Sequence, residues 1–258
     1  MNGRFFLLKE LIRRDFQARY AGSMLGFFWS FALPLWQLLL FTFVFSKVMG
    51  ARISLEAEHT ESFGIFLFCG LLPWMAIQEG VTRAATAIVD NASVIKKARL
   101  PLKILVLAPA ASAVAHEGIA AGVFVLLLAV LGQLGWQGLP MLLLALPLQL
   151  ALTVGIGLLV AAVHTFFRDT AQVVGIVMMG WFYLTPIVYS VRMLPEKAQS
   201  WFELNPLLPL VELYRRALLA GELSWVAGTG RLALTAGVIL LLGLGLFGRL
   251  EKLFVDQV

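Results

Sequence analysis

Residues 27–46 run for 20 positions without a charged side chain. At 1.5 Å per residue a helix of that length covers about 30 Å, the thickness of a bilayer's hydrocarbon core. In that medium the backbone must satisfy its own hydrogen bonds, which a single uninterrupted segment does as a helix. Five further stretches are nearly as apolar: 63–80, 104–131, 141–163, 171–191 and 231–248. The reading is an all-α polytopic membrane protein of six transmembrane helices, a single domain over residues 1–258. Composition agrees, with 60% hydrophobic and only 14% charged residues, against about 25% charged in soluble domains.

The charges that remain are unevenly placed. Six spans put both termini on one side. Thirteen of the 20 Lys and Arg then fall on the side of the N-terminus. The loop after the first span sets Lys47 and Arg52 against Glu56, Glu58 and Glu61. The loop after the second sets Arg83, Lys96, Lys97, Arg99 and Lys103 against Asp90 alone. Lys/Arg excess marks the cytosolic face, so both termini and the second loop are expected in the cytosol. The net charge of +5 reports this orientation and not nucleic-acid binding.

Residues 4–22 read as a basic amphipathic helix in the membrane interface. Phe5, Leu8, Ile12, Phe16 and Tyr20 recur at three- and four-residue steps, with Lys9, Glu10, Arg13, Arg14 and Gln17 on the other side. A soluble helix packed on a partner has the same pattern. Arg13-Arg14-Asp15-Phe16 superficially resembles a twin-arginine export signal, but no small-residue cleavage site follows. Prolines 34, 73, 109 and 186 lie within spans, and Pro34 is expected to kink the first. Between the fifth and sixth spans, residues 195–221 are broken by Pro206 and Pro209. They read as two short helices at or partly in the membrane, the second closed by Gly221.

Several chemistries are absent or accidental. There is no Gly-x-x-x-x-Gly-Lys-Ser/Thr, hence no phosphate-binding loop in the chain. Gly243-x-Gly245-x-x-Gly248 fits a dinucleotide fingerprint, but it lies in an apolar span without a βαβ setting. Close helix packing accounts for it better, as for Gly118-x-x-x-Gly122. Cys69 is the only cysteine, which excludes an intrachain disulfide. His116-Glu117 is the one ionisable pair inside a span. A charge at mid-bilayer costs about 2.5–3.5 kcal/mol on insertion scales, so the pair must face a cavity or a partner. It reads as an intramembrane catalytic or proton-relay pair, or as a polar contact in a long helix.

Two features point to function. Aromatic residues crowd the first and fifth spans: Phe31 and Trp36, then Trp181, Phe182 and Tyr183. An interfacial belt does not explain the deeper ones. They suit core packing or the lining of a passage in which sugar rings slide over aromatic faces. The second feature is the stretch 90–101. It holds Asn91, Ser93, Val94, Ile95, Lys96, Lys97, Arg99 and Pro101 between two apolar blocks. It reads as a short cytosolic helix through which another protein moves the spans.

Arg14-Asp15-Phe16-Gln17-Ala18-Arg19-Tyr20, with Ser23-x-Leu25-Gly26-x-x-Trp29, resembles the N-terminus of the membrane subunits of ABC-2-type polysaccharide exporters. Gly70-Leu71-Leu72-Pro73-Trp74 and the stretch from Asn91 to Pro101 resemble their second span and coupling helix. Phe167-Arg168-Asp169-Thr170, Thr185-Pro186-Ile187-x-Tyr189 and Asn205-Pro206 with Tyr214-Arg215 resemble their C-terminal half. O-antigen exporters are closest in pattern, with capsule and teichoic acid exporters near behind. The resemblance implies a homodimer with two copies of a separate ATPase subunit, which binds the ATP and Mg; this chain needs no cofactor or metal. It implies a lipid-linked (undecaprenyl diphosphate) polysaccharide moved across the bacterial inner membrane through a tunnel between protomers. Residues 90–101 become the ATPase-coupling helix, with Val94 and Ile95 as its inserted apolar edge. Arg13, Arg14 and Arg19 meet the lipid diphosphate, and residues 195–221 form periplasmic gate helices. An ABC-2 exporter of a drug or simple lipid, and a membrane enzyme built on His116-Glu117, are the competing readings.

Overall fold

The computed structural model describes residues 2–20, 22–48, 62–97, 100–220 and 226–257, apart from some of their side chains. Ten α-helices and no strands occur among the described residues. In order they are α1 (Asn2–Tyr20), α2 (Trp29–Phe41), α3 (Phe63–Asp90), α4 (Ala92–Lys97) and α5 (Leu102–Val130). Then come α6 (Leu142–Phe166), α7 (Thr170–Leu184), α8 (Glu196–Phe202), α9 (Leu207–Arg215) and α10 (Thr229–Gln257).

Four helical segments are long and apolar enough to cross a membrane: those of α3, α5, α6 with its 3-10 lead-in, and α10. Two more are apolar but shorter, at Trp29–Phe45 and Thr170–Leu184. The described structure thus gives four full-length spans where the sequence suggests six. The fifth stretch is cut short because α7 stops one residue before Thr185, which precedes Pro186 and is extended (φ −103°, ψ 128°). A residue before proline is driven out of the helical region. The second stretch does the opposite. α3 runs ten residues past Gly80 to Asp90, carrying Arg83 and its ion pairs on a continuous helix. Pro34 lies inside α2 without ending it.

α3 is the axis of the fold. It packs on α2, α5, α6, α7 and α9, and 83% of its most apolar window is buried, against 22% for α10. One core gathers around its first half, where Phe66, Phe68, Phe124 and Tyr214 are almost fully enclosed. A second lies at the α4 end, with Ile88, Val106, Leu158, Phe247 and Phe254.

Lipid tails are as apolar as leucine, so these helices gain contact from small residues that bring backbones close. A Cβ on Gly155 would stand 2.7 Å from the backbone nitrogen of Leu240, and one on Gly243 would stand 2.6 Å from the Gly155 carbonyl oxygen. α6 and α10 therefore touch backbone to backbone. A Cβ on Gly157 would meet the Ala84 methyl at 2.8 Å, seating α6 closely on α3. The fingerprint-like run serves packing through Gly243, while Gly245 faces open space. Gly118 and Gly122 also face open space, so the close packing expected of that pair is not made among the described residues.

Candidate functional site

The α4 end is built by one capping residue. Asn91 ends α3, its side-chain amide donating to the Ala87 carbonyl at 2.8 Å. Its own carbonyl accepts from the backbone nitrogens of Val94 and Ile95, each at 3.0 Å, which starts α4. Ser93 and Lys96 are exposed and Val94 is half-buried. Ile95 is only 7% exposed and belongs to this chain's own second core. Of the expected apolar pair, Val94 alone stays partly accessible. Pro101 leads directly into α5. The side chain of Lys97 and the whole of Arg99 lie outside the described residues, as do Gly221 and the side chain of Arg19.

α1 is clamped to the bundle. Arg83 of α3 donates through both terminal nitrogens to Asp15 of α1, one bond measuring 2.9 Å. Ser112 of α5 also donates to Asp15, and Glu79 takes a second ion pair from Arg83 at 3.2 Å. The ring of Phe16 lies 6.3 Å from that of His116. Beside this clamp is a small cavity of about 220 Å³ lined by Arg14, Asp15, Arg83, Asp90 and Asn91. Arg14 thus borders the junction of α1 with the α4 end, although both it and Arg13 are exposed.

A larger cavity of about 410 Å³ opens between α2, α3 and α5. Its walls are largely apolar, from Phe68, Leu72, Met75, Ala113 and Ala120, yet it gathers Gln37, Gln78, Glu79, Thr82, Arg83, His116 and Glu117. Glu117 is 4% exposed. Gln149 of α6 donates its amide to Glu117 Oε2, and Tyr214 of α9 donates its hydroxyl to Gln149 Oε1 at 2.7 Å. Glu117 Oε1 has no hydrogen-bond partner among the described residues. Among those residues no three His, Cys, Asp or Glu side chains cluster as metal ligands.

The aromatic residues separate into two groups. Trp181 and Phe182 are half-buried and pack on the buried Trp74, with ring centroids 6.4 and 5.6 Å away. The Trp181 indole donates to Asn205 Oδ1 at 3.0 Å. Asn205 in turn donates to the Leu184 carbonyl and the Thr185 hydroxyl and caps the Leu207 amide, all at 3.0 Å. This hub fastens the end of α7 to the start of α9. Tyr189, just beyond α7, donates to the Tyr183 carbonyl at 2.7 Å, and burial pushes its phenol up from the usual range, keeping it a neutral donor. Trp36 and Tyr183, in contrast, are 60% and 68% exposed. Phe31 is half-buried.

Arg215 is the buried cation that sequence reasoning assigned no job. It is 5% exposed, donates to the carbonyls of Pro186 and Ile187 at 3.0 Å each, and lies 3.6 Å over the Phe66 ring. Planar guanidinium geometry meets all three at once. Gln149 was likewise missed. A single amide within an otherwise apolar span is the signal that could have found it.

The ABC-2 type transporter family model matches residues 7–219. The chain is 30% identical over 256 residues to an O-antigen export system permease protein RfbA of Klebsiella pneumoniae, covering 98% of this chain and 95% of that protein. A protein of that name from Myxococcus xanthus is 27% identical over 254 residues, with the same two coverages. The polysialic acid transport protein KpsM of Escherichia coli is 25% identical over 250 residues, covering 95% of this chain and 93% of its own.

Proposed function

The chain belongs to the ABC-2 type transporter family, and from that membership we propose that it is the permease subunit of an ATP-driven polysaccharide exporter whose cargo is lipid-linked O antigen. The observation that carries this reading is the end-to-end likeness to O-antigen export permeases, at 30% identity. The geometry agrees with it. Polar side chains kept among apolar helices need a wet or ligand-bearing cavity to face, and the one between α2, α3 and α5 provides it.

In this reading two copies of the chain sit in the bacterial inner membrane with two copies of a separate ATPase subunit. The two short apolar helices, Trp29–Phe45 and Thr170–Leu184, complete six crossings per chain, with both termini in the cytosol. α2 with the turn that continues it, and α7, leave Trp36, Phe43, Ile176 and Tyr183 exposed, and these faces form the tunnel walls between the copies. ATP-bearing subunits press on α4, whose Val94 and Lys96 are presented outward while Ile95 anchors it inward. The push passes into α3 and α5, which α4 joins. The arginines of α1 hold the lipid diphosphate at the cytosolic interface. ATP and Mg bind to the partner subunit, and this chain performs no catalysis.

Deleting the gene in its host tests the reading. Polymer should vanish from the cell surface and lipid-linked polymer should accumulate inside, with recovery on complementation. Unchanged surface polymer in the deletion strain refutes it. The likeness to KpsM supports capsule as a second cargo, and the same strain separates the two by which polymer accumulates.

A further inference from the structure

We propose that the cavity between α2, α3 and α5 is a subsite for one neutral, hydroxyl-bearing sugar unit, and that Glu117 is the residue that binds it. The proposal rests on the polysaccharide reading above and adds the place and the chemistry of recognition.

The hydrogen bonds run one way. Tyr214 donates to Gln149, and Gln149 donates to Glu117 Oε2. Glu117 is the terminal acceptor of that chain, and its Oε1 is buried with no hydrogen-bond partner among the described residues. An unsatisfied buried polar group costs about 1–3 kcal/mol, and more when charged. A helix would shed that cost with a leucine unless something completes the bond. Glu117 lines the cavity, so the completing group comes from that side. A hydroxyl both donates and accepts, and it suits a carboxyl group in either protonation state.

The rest of the lining narrows the class. Gln37, Gln78 and Thr82 are neutral groups that exchange hydrogen bonds with hydroxyls. Phe68, Leu72, Met75 and Ala113 offer apolar surface to the C–H face of a ring. A phosphate would need a cation to spare. The cavity's arginine, Arg83, is already engaged by Asp15 and Glu79. Charge therefore argues for the sugar portion here and against the diphosphate. The volume, about 410 Å³, is within the small-molecule range of about 300–1,000 Å³.

The test uses the full permease with its ATPase in cells that make the polymer. A benzoyl-phenylalanine photo-crosslinker replaces Met75, which lines the cavity and is 42% exposed. A second chain carries it at Leu241 of α10, 71% exposed. Glycan should crosslink at Met75 and not at Leu241. With the crosslinker at Met75, Glu117→Leu should cut the yield roughly tenfold, the worth of one hydrogen bond to a charged group. Glu117→Gln, which keeps an acceptor oxygen, should retain most of it. Cells that export normally yet show no glycan on Met75 overturn the subsite and leave the exporter reading standing. Equal yields from the Leu and Gln variants overturn the role of Glu117. Should the Leu variant fail to accumulate, the Met75 crosslink in an otherwise unaltered chain still decides the subsite.

Discussion

Asp15 and Arg83 lie 68 positions apart and close a two-pronged ion pair between the N-terminal helix and the central helix of the bundle. Asp15 is the less exposed partner, at 16% against 33% for Arg83. It also accepts from Ser112 on α5. Three helices therefore meet on one carboxylate. An interfacial helix held only by its apolar face could slide; this one is registered against both α3 and α5.

Breaking that registration should be visible as coupling between the two sites. Asp15→Asn and Arg83→Met should each lower the thermal stability of the purified transporter, by about 1 kcal/mol given the partial exposure of the arginine. The double variant should lose little more than either single one. Additive losses in melting experiments would show that the pair carries no interaction energy.

Within α4 the fold and the proposed coupling rest on different residues. Ile95→Ala removes buried methyl groups and should cost about 2–4 kcal/mol, read as a lower melting temperature. Lys96→Glu changes an exposed side chain and should leave stability within about 0.5 kcal/mol. It should nonetheless release ATP hydrolysis from export, measured as ATPase turnover against surface polymer. Normal export by the Lys96 variant would remove α4 from the coupling path.

The aromatic residues make a similar contrast. Trp181→Phe deletes the bond to Asn205 and should destabilise the α7–α9 junction by about 1 kcal/mol. Tyr183→Ala and Trp36→Ala touch exposed rings and should preserve the fold while lowering export or shortening the surface polymer. Wild-type polymer length on a gel from both exposed-ring variants would count against their lining the passage.

Glycines in one short run should differ sharply. Gly243→Leu would drive a side chain into the Gly155 carbonyl, and overpacking of that kind costs about 1–3 kcal/mol. Gly245→Leu meets open space and should be tolerated. Equal melting temperatures for the two would mean that α6 and α10 do not pack as described.

Much of this was legible beforehand. The apolar runs marked α3, α5, α6 and α10, because a long apolar stretch has few other ways to satisfy its backbone in lipid. The ordered motifs pointed to the ABC-2 family, which the family match bears out. Less legible were the ends. α3 continues to Asp90 because Arg83 finds carboxylates on two helices, and hydropathy alone stops at the first charged turn. The shortness of α7 follows from Pro186, a residue in plain view whose effect depends on Arg215 and Asn205 holding the chain that it redirects.

The site divides along the same line. Periodicity and composition marked the long apolar helices and the basic loop, since these depend on each residue's own preference for lipid or water. They singled out His116-Glu117 without telling its two residues apart. Three-dimensional packing did that. It brought Gln149 and Tyr214, 32 and 97 positions after Glu117, onto one carboxylate oxygen and its donor, and turned His116 toward Phe16. It also took Ile95 from the expected docking edge into the core. Such pairings depend on which helices cross, and crossings are decided by close contacts like Gly155 on Gly243, which no local pattern encodes.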